Sequence, residues 1–210
     1  MEYSVQEEKA NAISHGVGVL LSCAALILLV VQACLHGDAW HIVSFSVFGV
    51  ALVTLYTCST LLHSVRHPRL KDIFEVLDHA AIYVLIAGTY TPYLLVTLRG
   101  PLGWTFFGVI WGLALTGIVL KIFYVKRFVL ISTLCYILMG WLIVIAFKPL
   151  YMNLPFGGIV WLVVGGLLYT FGSIFYVWRR IPYHHAIWHI FVLAGSACHF
   201  VSIFGYVIMS

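Results

Sequence analysis

Charged residues are scarce in this sequence, and their scarcity excludes most classes of soluble protein. Only 9% of the 210 residues are Asp, Glu, Lys or Arg, whereas 63% are hydrophobic. A soluble domain carries about 25% charged residues, so this chain lacks the polar surface that would keep it in water. The formal net charge of +4 is therefore no sign of nucleic-acid binding. The composition predicts an integral membrane protein.

Closely spaced cysteines are also lacking. The five cysteines are scattered singly, and four of them lie inside apolar runs. This pattern favours small buried side chains over a disulfide framework or a thiolate metal site.

Long apolar runs are the dominant feature that is present. Seven of them reach the roughly 20 residues that a helix needs to cross the hydrocarbon core of a bilayer. They cover residues 12–34, 41–62, 74–98, 102–123, 128–147, 156–177 and 185–209. The connections are short, and we place Pro68, Pro101, Pro149, Pro155 and Pro182 in them. The sequence predicts an all-α fold, a single seven-helix membrane domain over residues 1–210.

Basic residues predict the orientation of this bundle. With the N-terminus in the cytoplasm, nine of the 11 basic residues fall on the inside: Lys9, Arg66, Arg69, Lys71, Lys121, Lys126, Arg127, Arg179 and Arg180. Only Arg99 and Lys148 remain outside. Because cytoplasmic loops are enriched in Lys and Arg, we expect a cytoplasmic N-terminus and an outside C-terminus.

Ionisable side chains inside a membrane span are costly and mark candidate functional positions. His185 and His189 are four residues apart and project from one face of the seventh span. His63 ends the second span, with Ser59 one turn earlier, and Asp78 lies one turn into the third. The predicted topology brings His63, Asp78, His185 and His189 to the cytoplasmic end of the bundle.

Three imidazoles with an open coordination position are typical of catalytic zinc, and a site without thiolates suits that ion. We therefore predict His63, His185 and His189 as zinc ligands. Asp78 is the candidate that orients or deprotonates a water, and Ser59 the candidate hydrogen-bond donor to water, aspartate or oxyanion.

Each of these residues also has an ordinary alternative. His63 could be an interfacial residue bonded to water or headgroups, and the HxxxH spacing could arise by chance beside His184. Asp78 could interact only with the helix dipole. The agreement of separate polar positions in depth favours the metal site.

Four further polar positions are predicted to lie within the bundle. Glu8, Asn11 and His15 share one face of the first span at the cytoplasmic end, although a polar helix terminus explains them equally well. His199 lies ten residues beyond His189, about 15 Å deeper. We expect it to make a bundle-facing hydrogen bond and to be too distant to bind the same ion.

Three motifs carry a resemblance to a known family: EEKANAISHGVG, STLLHSVRHPRLKDIFEVLDHAAIYVLIAGTYTPYLL and HAIWHIFVLAGSACHF. Together they resemble the bacterial hemolysin III family, within the progestin and adipoQ receptor superfamily and a broader group that includes alkaline ceramidases. The resemblance covers nearly the whole chain. It implies a multi-pass protein of the bacterial plasma membrane with zinc on His63, His185 and His189, and it matches the family's serine and aspartate to Ser59 and Asp78.

Two classes of function follow as hypotheses. The first is a zinc-dependent hydrolase that cleaves an amide or ester in a membrane lipid. The second is a non-enzymatic membrane protein in which zinc joins helices and which affects lipid homeostasis or permeability, as the name haemolysin implies. A pore is a third option, which the sequence disfavours: a conducting path needs polar residues at several depths, whereas the polar cluster lies at one end and only His199 lies near the middle. The oligomeric state is not predicted.

Overall fold

Residues 3–210 are described by a computed structural model, in which seven helices are long and apolar enough to cross a membrane. They are α1 (Val5–His36), α2 (Ala39–Ser64), α3 (Pro68–Thr97), α4 (Pro101–Tyr124), α5 (Val129–Asn153), α6 (Phe156–Val177) and α7 (His184–Met209). No strand occurs within residues 3–210. The predicted all-α, seven-helix architecture is confirmed.

Helix α1 begins earlier than the apolar run that predicted it. Ser4 caps the helix, because its Oγ accepts a hydrogen bond from the Glu7 backbone N–H and the Glu7 carboxylate accepts one from the Ser4 backbone N–H. This reciprocal capping box satisfies backbone donors that would otherwise be unpaired at the helix start. The helix therefore carries polar residues, including Glu8 and Asn11, ahead of its apolar part.

Three of the five prolines that we predicted to lie in connections are in helices, so their predicted placement was wrong. Pro68 and Pro101 are the first residues of α3 and α4, where a missing N–H costs nothing. Pro149 lies in the first turn of Phe147–Asn153, a helical segment that follows a 3₁₀ stretch inside α5. A proline is tolerated in a first turn for the same reason.

Helix α3 is the central element of the bundle. In its most apolar stretch 83% of the residues are buried, compared with 17% in α5 and 22% in α1 and α4. Its contact with α2 is close at Gly88, where an added Cβ would lie 2.7 Å from the Ala51 Cβ. Small residues of this kind let membrane helices approach each other. The less buried helices expose large apolar side chains outward, among them Ile13, Leu20 and Ile27.

Candidate functional site

Three buried histidines from two helices converge at one end of the bundle. His63 lies in the last turn of α2, and His185 and His189 lie in the first turns of α7. Their ring centroids are 5.1 Å (63–185), 5.3 Å (63–189) and 4.6 Å (185–189) apart. One nitrogen from each ring can be chosen so that all three lie within 4.8 Å of one another. These residues form a group that could hold a metal ion.

The ring of His63 is oriented by helix α1. Its Nδ1 lies 2.6 Å from Glu8 Oε2, and the other oxygen of Glu8 accepts a hydrogen bond from Lys71. A carboxylate only accepts, so the proton sits on Nδ1 and the lone pair on Nε2. This Nε2 is buried and has no hydrogen-bond partner within residues 3–210.

The ring of His189 is oriented by the same helix. Ser14 Oγ donates its proton to the Asn11 backbone oxygen at 2.9 Å, so it is free to accept from His189 Nδ1, also at 2.9 Å. The Asn11 oxygen lies 3.2 Å from the same nitrogen. Both contacts place the proton on Nδ1 and the lone pair on Nε2, as in metal sites where a carbonyl or carboxylate fixes the tautomer.

His185 completes the donor set. Its ring is buried, and its Nδ1 has no hydrogen-bond partner in the described part of the chain. Unpaired nitrogens on neighbouring buried rings are unfavourable in an apolar medium unless something binds them. The residues therefore fit a divalent cation with a preference for imidazole.

The polar face of α1 continues beyond Glu8. The Asn11 side chain is fully buried, and neither its Oδ1 nor its Nδ2 has a partner among residues 3–210. His15 stacks on His189 with ring centroids 3.4 Å apart and an angle of 10° between the planes. Glu8, Asn11 and His15 thus lie beside the histidine group. Glu8 and the Asn11 backbone oxygen contact ring nitrogens of the group, and His15 stacks on one of its rings.

Ser59 and Asp78 lie beside this group rather than in it. Both are buried, and both line a cavity that His185 and His189 also line. Ser59 Oγ has no hydrogen-bond partner in residues 3–210. Asp78 Oδ2 is 3.9 Å from His79 Nδ1, but that nitrogen bonds the Glu75 backbone oxygen at 2.7 Å.

The cavity has a volume of about 200 Å³ and runs from the histidine group into the bundle. Its walls are mostly apolar, with Leu55, Ile82 and Ile86 among them. His199 lines it as well, so this side chain faces the bundle as expected. The expected hydrogen bond is not made by its Nδ1, which has no partner within residues 3–210.

Two residues at the site were missed by the sequence analysis. Ser14 orients His189, yet a serine in an apolar helix carries no distinguishing pattern beyond its spacing of three from Asn11. Tyr3 packs near His185, with ring centroids 5.3 Å apart. Burial is the main reason that the pKa of Tyr3 is raised to about 12, so its phenol is neutral at physiological pH.

The chain is similar to known proteins along nearly its whole length. A family model described as "Haemolysin-III related" matches residues 3–200. A Bacillus cereus protein named "Hemolysin-3" is 56% identical over 208 residues, which cover 99% of this chain and 95% of that protein. The "Hemolysin-3 homolog" of Bacillus subtilis (strain 168) is 57% identical over 204 residues, covering 97% and 96%. The human "Monocyte to macrophage differentiation factor" is 29% identical over 213 residues, covering 97% and 86%.

Proposed function

Since the chain belongs to the haemolysin-III related family of multi-pass membrane proteins, we propose that it is a zinc-dependent hydrolase that cleaves an amide or ester bond of a membrane lipid. The observation that supports this proposal is the position of the three-histidine group at one end of an apolar cavity. We place the protein in the bacterial plasma membrane, with the N-terminus and the site on the cytoplasmic side. This orientation follows from the distribution of basic residues.

In this proposal His63, His185 and His189 hold the ion. Zinc in such a site supplies Lewis acidity and makes water a stronger acid. Glu8, Asn11 and Ser14 keep the rings of His63 and His189 in the required tautomer through the contacts described above. A ligand set that is oriented before the ion arrives loses less entropy on binding it.

Asp78 and Ser59 act on the substrate side. Asp78 takes the proton from the attacking water and returns it to the leaving amine or alcohol. Ser59 donates a hydrogen bond to the carbonyl oxygen as negative charge develops there. Water adds across the bond, and the products are a fatty acid and an amine or alcohol. The apolar cavity holds the acyl chain and excludes bulk water.

The test is fatty-acid release by the purified, zinc-loaded protein from a panel of lipid amides and esters. We expect Asp78→Asn to lower the rate at least about 100-fold, because it removes the general base but no metal ligand. The matched control is Asp72→Asn, which removes an exposed carboxylate that pairs with Lys126 at 2.6 Å. The proposal is contradicted if zinc-loaded wild type releases no fatty acid from any lipid of the panel.

The second candidate function is non-enzymatic. The histidine group joins α2 to α7, and Glu8 and Ser14 add α1, so a bound ion could serve mainly to clamp three helices. Such a protein would affect lipid homeostasis or permeability, and the name of the bacterial relatives suggests lysis of red cells. Loss of a ligand would then lower thermal stability, while Asp78→Asn would leave red-cell lysis unchanged.

A further inference from the structure

The deep end of the cavity carries a second polar contact point, His199. This side chain is 5% exposed, lines the cavity and has a buried Nδ1 without a partner among residues 3–210. Its ring stacks on Tyr169 with centroids 5.3 Å apart and an angle of 28° between the planes. A polar nitrogen so placed in an apolar environment needs a hydrogen-bond partner.

The neighbouring hydroxyl groups already have partners of their own. Tyr56 and Tyr169 both bond to Ser196 Oγ, at 2.7 Å and 2.8 Å. Ser202 lies one turn beyond His199 on α7, and its Oγ donates to the Gly158 backbone oxygen at 2.8 Å. None of these hydroxyl groups bonds to His199, so the part of the ring that lines the cavity is available to a ligand.

A glycine on the neighbouring helix leaves space for the His199 ring. Helix α6 has a glycine at position 165, and a Cβ added there would lie 2.8 Å from His199 Nε2. The imidazole thus packs closely against α6 at this glycine, and a larger residue there would displace the ring. Tyr93, near the far end of α3, also lines the cavity, and its hydroxyl oxygen is buried without a partner among residues 3–210.

The spacing along α7 gives the distance between the two polar ends. Ten residues separate His189 from His199, which corresponds to about 15 Å along a helix. The walls of the cavity are mostly apolar and include Val192, Leu85 and Ile86. The cavity therefore has the metal-binding group at one end, mostly apolar walls, and the His199 imidazole about 15 Å further along α7.

We propose that the cavity selects a lipid whose acyl chain carries a hydroxyl group about 15 Å from its carbonyl, and that the imidazole of His199 binds this hydroxyl. The proposal rests on the proposed function for the carbonyl end, which the histidine group would hold. A hydroxyl both donates and accepts, so it pairs with either tautomer of His199. His199 is thus a specificity residue that makes no contact with the reacting atoms.

The experiment compares equilibrium binding of three fatty acids to the purified, zinc-loaded full chain by calorimetry in detergent. The probes are octadecanoic acid, 12-hydroxyoctadecanoic acid and 3-hydroxyoctadecanoic acid. We expect wild type to bind the 12-hydroxy acid about fivefold more tightly than octadecanoic acid, the gain from one net hydrogen bond. The 3-hydroxy acid should show no gain, because its hydroxyl would lie far from His199.

The variant His199→Phe keeps an aromatic ring against Tyr169 and removes both nitrogens. It should bind octadecanoic acid like wild type and lose the preference for the 12-hydroxy acid. Equal binding of the two hydroxy isomers by wild type overturns the proposal, and so does a preference that survives in His199→Phe. If that variant does not fold, the isomer comparison in wild type decides alone. Binding is measured without turnover, so an absence of hydrolysis would overturn the proposed reaction and leave this result intact.

Discussion

Two histidines on α7 line the same cavity and differ in how the protein supports them. His189 Nδ1 contacts both Ser14 Oγ and the Asn11 backbone oxygen, so its tautomer is fixed. His199 Nδ1 has no such partner within residues 3–210. Both rings are buried, at 1% and 5% exposure, so burial does not distinguish them.

This difference indicates what each ring can bind. A fixed tautomer directs one lone pair at a set point, which a cation requires and which oriented metal ligands share. An imidazole that is held only by stacking can present a proton or a lone pair, which suits a neutral hydroxyl. The support around a buried histidine is therefore more informative about its role than the histidine itself.

The largest expected effect is the loss of metal from the supported end. His185→Ala should reduce zinc from about one ion per chain to near none after dialysis, because two imidazoles remain where catalytic sites use three protein ligands. Mass spectrometry of the metal content measures this directly. Zinc at a hundredfold excess over Kd should stabilise wild type by about 2.7 kcal/mol and leave the variant unchanged.

The matched control for this loss is His184→Gln. His184 is adjacent in sequence and also buried, but its Nδ1 bonds the Phe175 backbone oxygen and it is outside the three-histidine group. It should retain full zinc content. Zinc that stays bound in His185→Ala would mean that the ion is held elsewhere.

A smaller effect is expected from the residue that orients His63. Glu8→Gln keeps the shape of the side chain and removes the negative charge that His63 and Lys71 share. We expect zinc affinity to fall about 10- to 100-fold, the usual cost of losing an outer partner of a metal ligand. Competition with a chelator of known affinity gives the number.

Glu75→Gln provides the comparison for that experiment. Glu75 is on α3 and its carboxylate lies 3.6 Å from Lys126, outside the histidine group. Its substitution should leave zinc affinity unchanged. If both glutamine variants weaken binding equally, general charge at this end of the bundle is responsible and the hydrogen bond to His63 is not.

The fold and the positions of the histidines could be predicted from composition and spacing, because both depend on the pattern of apolar and polar residues along each helix. Seven apolar runs leave few alternatives to seven spans, and the family resemblance read from three motifs is confirmed by the family match over residues 3–200. Helix ends were predicted less well, because helices can continue beyond their apolar parts. The first helix begins directly after the Ser4 cap, and the helical segment Phe147–Asn153 accommodates Pro149 in its first turn.

The contacts around the histidines were out of reach of sequence reasoning. Ser14 and His189 are 175 residues apart, and only the packing of α1 on α7 makes them neighbours. The unpartnered Nδ1 of His199 could not be predicted either, because the absence of a hydrogen bond leaves no pattern in a sequence. Spacing identifies residues that share a helix face, whereas partners on other helices require the fold.

The smallest expected effect tests how far the support of His189 is redundant. Ser14→Ala removes one of the two acceptors at its Nδ1 and leaves the Asn11 backbone oxygen in place. Zinc affinity should therefore fall by only about fivefold, the net value of one hydrogen bond. Ser64→Ala is the control, because that hydroxyl bonds only the Thr60 backbone oxygen at the end of α2. A fall as large as that of Glu8→Gln would show that the hydroxyl, and not the backbone oxygen, fixes the tautomer of His189.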